Sequence, residues 1–304
     1  MVQNTQESIV FVSAQRTPFG AFGGSFKELS ATDLAVQASQ AALSKIPGIE
    51  KEIDHVILGN VIQTSKDAAY LARHVSLRVG LPIEIPAVTT NRLCGSGFEA
   101  IDDGVRRLRL HEAKVVLVGG TENMSQCPYV LRNARFGHKF GNTELEDSLM
   151  TGLFDTFAQM PMALTAENVA TKYGINREEC DAFALKSQKR SWAATEGKQL
   201  AHEIFPIALT ERGKTKLIEH DEHIRKEATL EGLQKLKPVF KSDGVITAGN
   251  ASGMVDGAAA LIMTTRSLAT SRNWPILGEW LGSHVVGCDP KLMGLGPVLR
   301  FRDF

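Results

Sequence analysis

The amino-acid sequence predicts an α/β fold, with a largely parallel sheet covered by helices. Two observations support this prediction. Short β-branched apolar runs alternate with helical segments over residues 1–123, and the same alternation returns at Val245. Helices of this length between successive strands are typical of parallel β-α-β connections. The 304 residues are 43% hydrophobic, which is enough for two sizeable cores.

The elements of the first part follow one another in a regular order. Strands are predicted at Ile9–Ala14, His55–Val61, Ala87–Leu93 and Lys114–Gly119. Helices are predicted at Ser30–Leu43, Ala68–Val79 and Gly97–Glu112. Ser30 is followed three residues later by Asp33, which is close to a capping box at the start of the first helix.

Residues 124–242 have a different composition, and we expect them to form an insertion that packs on the sheet domain. Thr121–Leu149 is rich in polar residues, glycine and basic side chains. Helices are predicted at Thr165–Tyr173 and Arg177–Glu203, and the strongly charged Lys214–Lys241 should be mostly exposed. A long excursion of this kind usually carries a function, such as a lid or a ligand surface.

The last part returns to the α/β pattern. Asn250–Asp256 has turn residues, Ala258–Thr264 is predicted to be a strand, and Pro275–Val286 contains a further strand-like run interrupted by glycines. No apolar run is long enough to span a membrane. Met1–Ser8 lacks the features of a secretory signal or an Arg-rich presequence, and Phe301–Phe304 is no targeting tripeptide.

Charge and cysteine content exclude several classes of protein. Lys+Arg and Asp+Glu are both 34, so neither nucleic acid nor an anionic membrane is indicated as the main partner. The four cysteines are far apart and form no C-x-x-C. This spacing is typical of a reduced intracellular protein, not of a disulfide scaffold or a zinc site, and it predicts that three or four of the cysteines are buried.

The strongest candidate for chemistry is Asn91-Arg-Leu-Cys94-Gly-Ser-Gly97-Phe, which lies where a predicted strand meets a predicted helix. Unpaired backbone N–H groups and the positive end of the helix dipole favour the thiolate there, and the thiolate is the nucleophile. Gly95 and Gly97 permit a tight turn, and the Cys94 N–H is a candidate donor to an oxyanion. A buried, inert cysteine at a sharp turn is an equally good interpretation of these residues.

Two glycine-rich stretches are weaker candidates. In Thr247–Asp256 small residues would let a narrow ligand pass close to the backbone, with Ser252 as its hydrogen-bonding group, but an ordinary turn is the favoured interpretation. Gly119-Gly-Thr-Glu122-Asn-Met-Ser125 lacks the phosphate-loop patterns and is predicted to be a structural turn. The eight histidines form no metal site in the sequence, and His220 and His223 are predicted to be solvated.

Taken together, these segments resemble the thiolase family. NRLCGSGF matches the family's nucleophile motif at Cys94, and TAGNASGMVDGAAAL matches its second signature. Four further stretches agree with the family, and they are RTPFGAFGG from Arg16, YLARH from Tyr70, GGTENMSQ from Gly119 and TAENVA from Thr165. The resemblance extends from Ile9 to Val298, and Arg132–Leu149 is similar to the mitochondrial 3-ketoacyl-CoA branch.

The resemblance implies two similar α/β domains packed back to back, with a loop domain inserted in the first to receive CoA. In this chain, residues 1–123 and 243–270 would form the first α/β domain, a mixed sheet covered by helices. Residues 124–242 would form the inserted CoA-binding loop domain. Residues 271–304 would be a stub of the second α/β domain, most of which is missing.

The resemblance also implies the thiolytic cleavage of a 3-ketoacyl-CoA, a reaction of fatty acid β-oxidation. Cys94 would accept the acyl group and then pass it to CoA. Arg225 would meet the CoA nucleotide and Ser252 the pantetheine arm, although Ala228 replaces a residue that is polar in many relatives. CoA is then a co-substrate, with no permanently bound cofactor and no metal. A homo-oligomer and a mitochondrial location are implied, with a cytoplasmic location as the alternative.

Three family motifs of the second domain do not occur in this sequence, namely the GHP histidine, the second cysteine of C-x-G-G-G and the Asn-Glu-Ala-Phe loop. Without them we expect little turnover, because acid–base assistance contributes roughly 10²–10⁴-fold and an oxyanion donor about 10²–10³-fold. The alternatives are an inactive form that pairs with a full-length thiolase and a module that only binds CoA. Uncovered apolar surface predicts poor solubility without such a partner.

Overall fold

The computed structural model describes residues 7–211 and 213–298, so the expectations about the stretch before Glu7 and the tail after Val298 lie outside the described residues. The strands are β1 Ile9–Arg16, β2 Gly20–Ala21, β3 His55–Gly59, β4 Ala87–Thr90, β5 Val115–Asn123, β6 Tyr129–Val130, β7 Glu146–Asp147, β8 Phe154–Asp155, β9 Met160–Pro161, β10 Ile207–Glu211, β11 Lys214–Ile218, β12 Val255–Thr265 and β13 Gly278–Glu279. The α-helices are α1 Ala31–Ser44, α2 Leu71–Arg78, α3 Ser96–Arg109, α4 Ser148–Gly152, α5 Met162–Tyr173, α6 Arg177–Glu196, α7 Leu230–Gln234 and α8 Arg266–Ser271.

The chain divides into two compact units. The described residues of the first fall within 7–127, 200–223 and 254–282, and those of the second within 128–199, 224–253 and 283–298. These boundaries do not coincide with the predicted domain segments. Residues 200–223 belong to the unit that contains the sheet, and residues 243–253 belong to the other unit.

The first unit is built on a mixed sheet with the strand order β13-β1-β12-β5-β3-β4. β3 is parallel to both β4 and β5, whereas β12 is antiparallel to both β1 and β5. The prediction of a largely parallel sheet is therefore wrong, and the mixed sheet implied by the resemblance is confirmed. β12 follows a long excursion of the chain, so the rule for short β-α-β connections does not fix its direction.

Helices cover both faces of this sheet. Alternate residues of the central strands point to opposite faces. Val56, Leu58 and Leu117 belong to a core that includes Leu34 and Ala38 of α1, together with Leu71 and Val75 of α2. Ile57, Val116, Val118 and Met263 form a second core with Ala100, Val105 and Leu108 of α3. Strands covered on both faces are apolar at every position, and this explains the continuous apolar runs in the sequence.

Most predicted elements are present, with shifted ends. The capping box of α1 is confirmed, because Ser30 Oγ accepts from the Asp33 N–H (3.0 Å) and the Asp33 carboxylate accepts from the Ser30 N–H (2.9 Å). The helix predicted from Arg177 ends at Glu196 instead of Glu203, and only Gly278–Glu279 of the strand-like run 275–286 forms a strand. Gly119–Asn123 is not a turn but the second half of β5.

The second unit contains α4 to α7 and two short two-stranded sheets, β6–β7 and β8–β9. α6 begins at a capping box in which Asn176 Oδ1 accepts from the Glu179 N–H at 2.9 Å. α5 is fastened to the 3₁₀ segment Pro290–Leu295 through Asn168, whose Nδ2 donates to the Lys291 carbonyl at 3.0 Å. In the described part of the chain, no helix combines the length and the apolar character needed to cross a bilayer.

Candidate active site

Cys94 lies between β4 and α3, at the strand-to-helix corner that the sequence predicts, and its side chain is exposed. The interpretation of Cys94 as a buried cysteine is therefore wrong. α3 begins at Ser96 after the N-cap residue Gly95, which makes no side-chain capping bond. Regular helical bonding starts with the Glu99 N–H and the Gly95 carbonyl (2.9 Å). The N–H groups of Gly95 and Ser96 donate to the Arg92 (3.1 Å) and Leu93 (2.9 Å) carbonyls, and the front of α3 places the positive end of a helix dipole beside Cys94.

The turn that carries Cys94, residues 91–96, has its unusual backbone at Leu93 and not at a glycine. Leu93 has φ 49°, a left-handed conformation that costs a non-glycine residue roughly 1–2 kcal/mol. Ser96 stabilises the turn from inside, since its Oγ accepts from the Arg92 N–H (2.8 Å) and donates to the Leu93 carbonyl (2.6 Å). We refer to residues 91–96 as the nucleophile turn.

Glycines bring the start of α3 unusually close to the sheet. A Cβ at Gly59, the last residue of β3, would lie 2.6 Å from the Ser96 carbonyl carbon. A Cβ at Gly120 of β5 would lie 3.4 Å from the Gly97 Cα. Gly59 and Gly120 therefore allow α3 to approach the sheet, whereas a Cβ at Gly97 would meet nothing within 4 Å. The small residues at the ends of HVILG and VVLVGG are the sequence signal for this approach.

Glu122, at the end of β5, is a residue that sequence reasoning missed. Its carboxylate accepts from Asn60 Nδ2 (3.0 Å) and from the backbone N–H groups of Val61 (3.0 Å) and Ile62 (3.2 Å). Burial raises the pKa of Glu122, and these three hydrogen bonds oppose that rise. The carboxylate thereby fixes the segment 60–62 that follows β3.

The first turn of α3 also carries an acidic residue, Glu99, which is neutralised by arginines. Arg92 Nε donates to Glu99 Oε2 (2.5 Å), and Arg106 contacts the other carboxylate oxygen at 3.3 Å. The hydrogen bond from Arg92 holds the pKa of Glu99 below its usual range, and Arg106 contributes to the same effect. These pairs tie Arg92, two residues before Cys94, to the helix that follows it.

The other three cysteines are partly buried, so the expectation that three or four of the cysteines are buried is wrong. Burial raises the pKa of the Cys180 thiol, and the neighbouring Asp181 carboxylate raises it further. A raised pKa disfavours the thiolate, so Cys180 is poorly suited to nucleophilic attack. Cys94 thus differs from the others in both exposure and position.

Ser252 lies in the second unit, exposed, in a loop that we define as residues 245–253, the ligand loop. Two buried carboxylates hold this loop. Glu167 accepts from the Val245 N–H (3.0 Å) and the Ile246 N–H (2.9 Å). Asp181 accepts from Asn250 Nδ2 (2.9 Å), while Asn250 Oδ1 accepts from the Thr247 N–H (2.8 Å). Asn250 therefore has a structural role, and the loop presents Ser252 to solvent.

Arg177 completes this network in the second unit. Its Nε donates to Asp181 Oδ2 at 2.7 Å, and its guanidinium also donates to the carbonyls of Leu233 (2.8 Å) and Leu236 (3.0 Å) at the end of α7. Asp181 is fully buried and Glu167 is 4% exposed. Buried carboxylates require such complete pairing.

Arg225 also lies in the second unit, and its side chain is exposed. Its backbone N–H donates to Gln188 Oε1 at 2.8 Å, and the next residue, Lys226, places its ammonium 5.3 Å from the centre of the Trp192 ring. Gln188 and Trp192 are four residues apart on α6 and therefore lie on one face of the helix. The backbone of this basic segment is thus anchored on α6, and the Arg225 guanidinium remains open to solvent. Nothing in the sequence had indicated this anchor.

No group of three or more His, Cys, Asp or Glu residues suited to a metal ion occurs among residues 7–211 and 213–298.

Comparison with known proteins identifies the family to which these features correspond. The model of the thiolase N-terminal domain matches residues 9–267. Human mitochondrial 3-ketoacyl-CoA thiolase is 53% identical over 292 residues, which cover 95% of this chain and 73% of that protein. The acetyl-CoA acetyltransferase of Pseudomonas aeruginosa is 41% identical over 298 residues, covering 97% and 76%. The crystal structure of the human mitochondrial enzyme in complex with CoA matches with a TM-score of 0.94 at 51% identity, covering 98% of this chain and 74% of that one.

Proposed function

Because the chain belongs to the thiolase family, we propose that it transfers acyl groups from 3-ketoacyl-CoA to CoA, with Cys94 as the nucleophile. The observation that carries this proposal is the exposed Cys94 side chain at the uncapped start of α3, inside NRLCGSGF. The chain is a homologue of mitochondrial 3-ketoacyl-CoA thiolase and of acetyl-CoA acetyltransferases, and enzymes of both names act on acyl-CoA.

In the proposed reaction the Cys94 thiolate attacks the 3-keto carbon and forms a tetrahedral oxyanion. Collapse of this oxyanion breaks the C2–C3 bond, the electron pair leaves on C2 as the enolate of acetyl-CoA, and the enolate takes up a proton from water. The shortened acyl group remains on sulfur as a thioester until the thiol of CoA, which gives up its proton to water, attacks it and releases the Cys94 thiolate. A thiolate suits both steps because sulfur is a strong nucleophile and a good leaving group. N–H groups at the front of α3 would stabilise the negative charge.

Acyl transfer to sulfur gives the most direct experiment. The chain is incubated with a 3-ketoacyl-CoA, digested, and analysed by mass spectrometry, with Cys94→Ala and Cys288→Ala as matched variants. We expect the acyl group on the Cys94 peptide, the release of one acetyl-CoA per chain acylated, and the discharge of the acyl group by free CoA. Equal labelling of the Cys94→Ala variant, or no acyl group at position 94, would exclude Cys94 as the acceptor.

The ligand loop and Arg225 are proposed to bind CoA as co-substrate. Ser252 would contact the pantetheine arm, and Arg225 would contact the nucleotide phosphates. The support is their exposure on anchored backbone, which leaves both side chains available. Loss of the Ser252 hydroxyl should weaken CoA binding about twofold to tenfold, the value of one hydrogen bond, without changing stability. Calorimetric titration of CoA into the unaltered chain, Ser252→Ala and Arg225→Ala measures this, and unchanged affinity in both variants contradicts the assignment.

The location and the assembly of the chain are proposed in the same way. Relatives named as mitochondrial enzymes support a mitochondrial location, which fractionation of expressing cells can check.

A homo-oligomer is supported by the exposed apolar side chains of the first unit, including Leu93 and Phe98, which are 63% and 78% exposed. Sedimentation of the purified chain as a monomer at micromolar concentration would contradict it.

A further inference from the structure

The left-handed conformation of Leu93 needs an external support. Ser96 holds the nucleophile turn only from within, because its partners are the Arg92 N–H and the Leu93 carbonyl. Both bonds lie within the turn and do not tie its exposed residues 91–94 to the sheet. Asn91, Arg92, Leu93 and Cys94 are all exposed, so packing does not fix this part of the turn. Hydrogen bonds to residues outside the turn are the remaining means of holding its first residues, and Arg92 makes one of them to Glu99 of α3.

Asn91 makes the bond that ties the turn to the segment after β3. Its Oδ1 accepts from the Leu93 N–H at 2.9 Å, and its Nδ2 donates to the Val61 carbonyl at 3.2 Å. The first contact shapes the backbone just before Cys94, since an Asn side chain that bonds the backbone two residues later is a standard way of stabilising a turn. The second contact ties the turn to the segment that follows β3.

Glu122 fixes this segment in turn. Its carboxylate holds the Val61 N–H, the Ile62 N–H and the Asn60 amide, and Asn60 Nδ2 also donates to the Thr121 carbonyl at 3.0 Å. Val61 is therefore held on both sides, through its N–H by Glu122 and through its carbonyl by Asn91. The hydrogen bonds run without interruption from β5 to the residue before Cys94.

We propose that Glu122 is a positioning residue for Cys94, which acts through Val61 and Asn91 to keep Leu93 left-handed and the sulfur at the front of α3. The proposal rests on the proposed function of Cys94 and adds to it a carboxylate that does not touch the reacting atoms. A Gln at position 122 keeps the size of the side chain but turns an NH2 group toward a backbone N–H, so at least one of the three bonds is lost.

The experiment measures how fast iodoacetamide alkylates each cysteine at neutral pH, by mass spectrometry of the corresponding peptides. The variants are Glu122→Gln, Asn91→Ala and the double variant, and Cys288 serves as the internal reference. Each single variant should slow Cys94 about twofold to tenfold, the effect of one lost hydrogen bond, and leave Cys288 unchanged. The double variant should be no slower than the slower single variant, because residues in one network are not additive.

Glu222→Gln is the matched control for a purely structural carboxylate. Glu222 lies in the same unit and also accepts from two backbone N–H groups, those of Ala21 (2.8 Å) and Ser25 (3.2 Å). We expect it to lower the free energy of unfolding in urea while Cys94 keeps its rate. Asn91 is exposed, so its variant tests the same connection if Glu122→Gln does not fold.

The outcomes separate this proposal from the proposed function. A fast Cys94 whose rate is unaffected by Glu122→Gln and Asn91→Ala, or is slowed by both with multiplying effects, overturns the positioning role alone. A Cys94 that reacts no faster in the unaltered chain than in urea overturns both proposals.

Discussion

The nucleophile turn and the ligand loop are both stabilised by a carboxylate that accepts from two consecutive backbone N–H groups, but the carboxylate is placed differently. Glu167 binds the ligand loop itself, at Val245 and Ile246. Glu122 binds Val61 and Ile62, beside the nucleophile turn. No residue of the ligand loop has positive φ, whereas the nucleophile turn has its strain at Leu93.

The difference shows how a strained, solvent-open turn can be held without obstructing its reactive atom. In the ligand loop the N–H groups of Val245 and Ile246 and the Asn250 amide face buried carboxylates, so these carboxylates can bond the loop directly and leave Ser252 exposed. In the nucleophile turn Cys94 is exposed, and a direct bond to that side would block an incoming acyl group. Support from behind, through a neighbouring segment, leaves the sulfur accessible.

Replacement of Asp181 by Ala should have the largest effect on either region. The change leaves the mostly buried Arg177 guanidinium without its carboxylate, and Asn250 Nδ2 keeps only the Val245 carbonyl as acceptor. Breaking a buried pair on one side costs about 3 kcal/mol of unfolding free energy, which urea denaturation can measure. Asp243→Ala is the control, because the Asp243 side chain is 75% exposed beside Lys241. A loss for Asp181→Ala no larger than that of the control would show that the ligand loop does not depend on this network.

Replacement of Gly59 by Ala should lower the free energy of unfolding less than Asp181→Ala does, but it should act directly on the nucleophile turn. The new Cβ would press on the Ser96 backbone, and overpacking of this kind costs about 1–3 kcal/mol. Because the Ser96 side chain bonds two backbone groups of the nucleophile turn, we also expect slower acylation of Cys94. Gly278→Ala adds the same methyl group to another strand in open space. Equal stability and equal acylation rates in the two variants would mean that the close approach of α3 is unimportant.

The smallest effect is on the pH dependence of the free energy of unfolding. Two carboxylates of the first unit should change this free energy in opposite directions as the pH rises. Burial raises the pKa of Glu122, so its folded form binds more protons and its contribution to stability falls as the pH rises above about 4.3, the ordinary Glu value. The pKa of Glu222 is lowered in spite of burial, chiefly by the hydrogen bond from Ser25. Its contribution is present above the ordinary value and is lost on acidification.

The measurement compares the unfolding free energy of the unaltered chain with that of Glu122→Gln and Glu222→Gln from pH 3 to pH 8. The difference from Glu122→Gln should shrink as the pH rises above the ordinary Glu value, and the difference from Glu222→Gln should shrink as the pH falls below it. Parallel profiles would show that the two carboxylates have similar environments.

Local sequence patterns predicted most helices and strands, because nearby residues largely determine whether a segment forms a helix or a strand. The apolar runs of β3 and β5 and the Ser30–Asp33 capping box needed no information from distant parts of the chain. The direction of β12 could not be predicted in this way, since it depends on pairing with strands that lie far away in sequence. The pattern alone cannot distinguish a parallel from an antiparallel partner when no short connection joins them.

The site was predicted at Cys94 but not in its supporting residues. Gly95 and Gly97 drew attention to a tight turn, yet the positive φ belongs to Leu93, and only Asn91, two residues earlier, is a sequence signal for it. Glu122 and Glu167 occur in GGTENM and TAENVA, two stretches that matched the family without an assigned role. Their role depends on N–H groups about 60 to 80 residues away, at Val61 and Val245.

The position of β12 in the sheet has a consequence for synthesis on the ribosome. β12 lies between β1 and β5, so the earliest strand cannot be joined to the others until residues 255–265 have left the exit tunnel. Until then β1 and β5 expose unpaired edges, which are prone to intermolecular association. We therefore expect a nascent chain of this protein to expose these two strand edges until β12 has been synthesised.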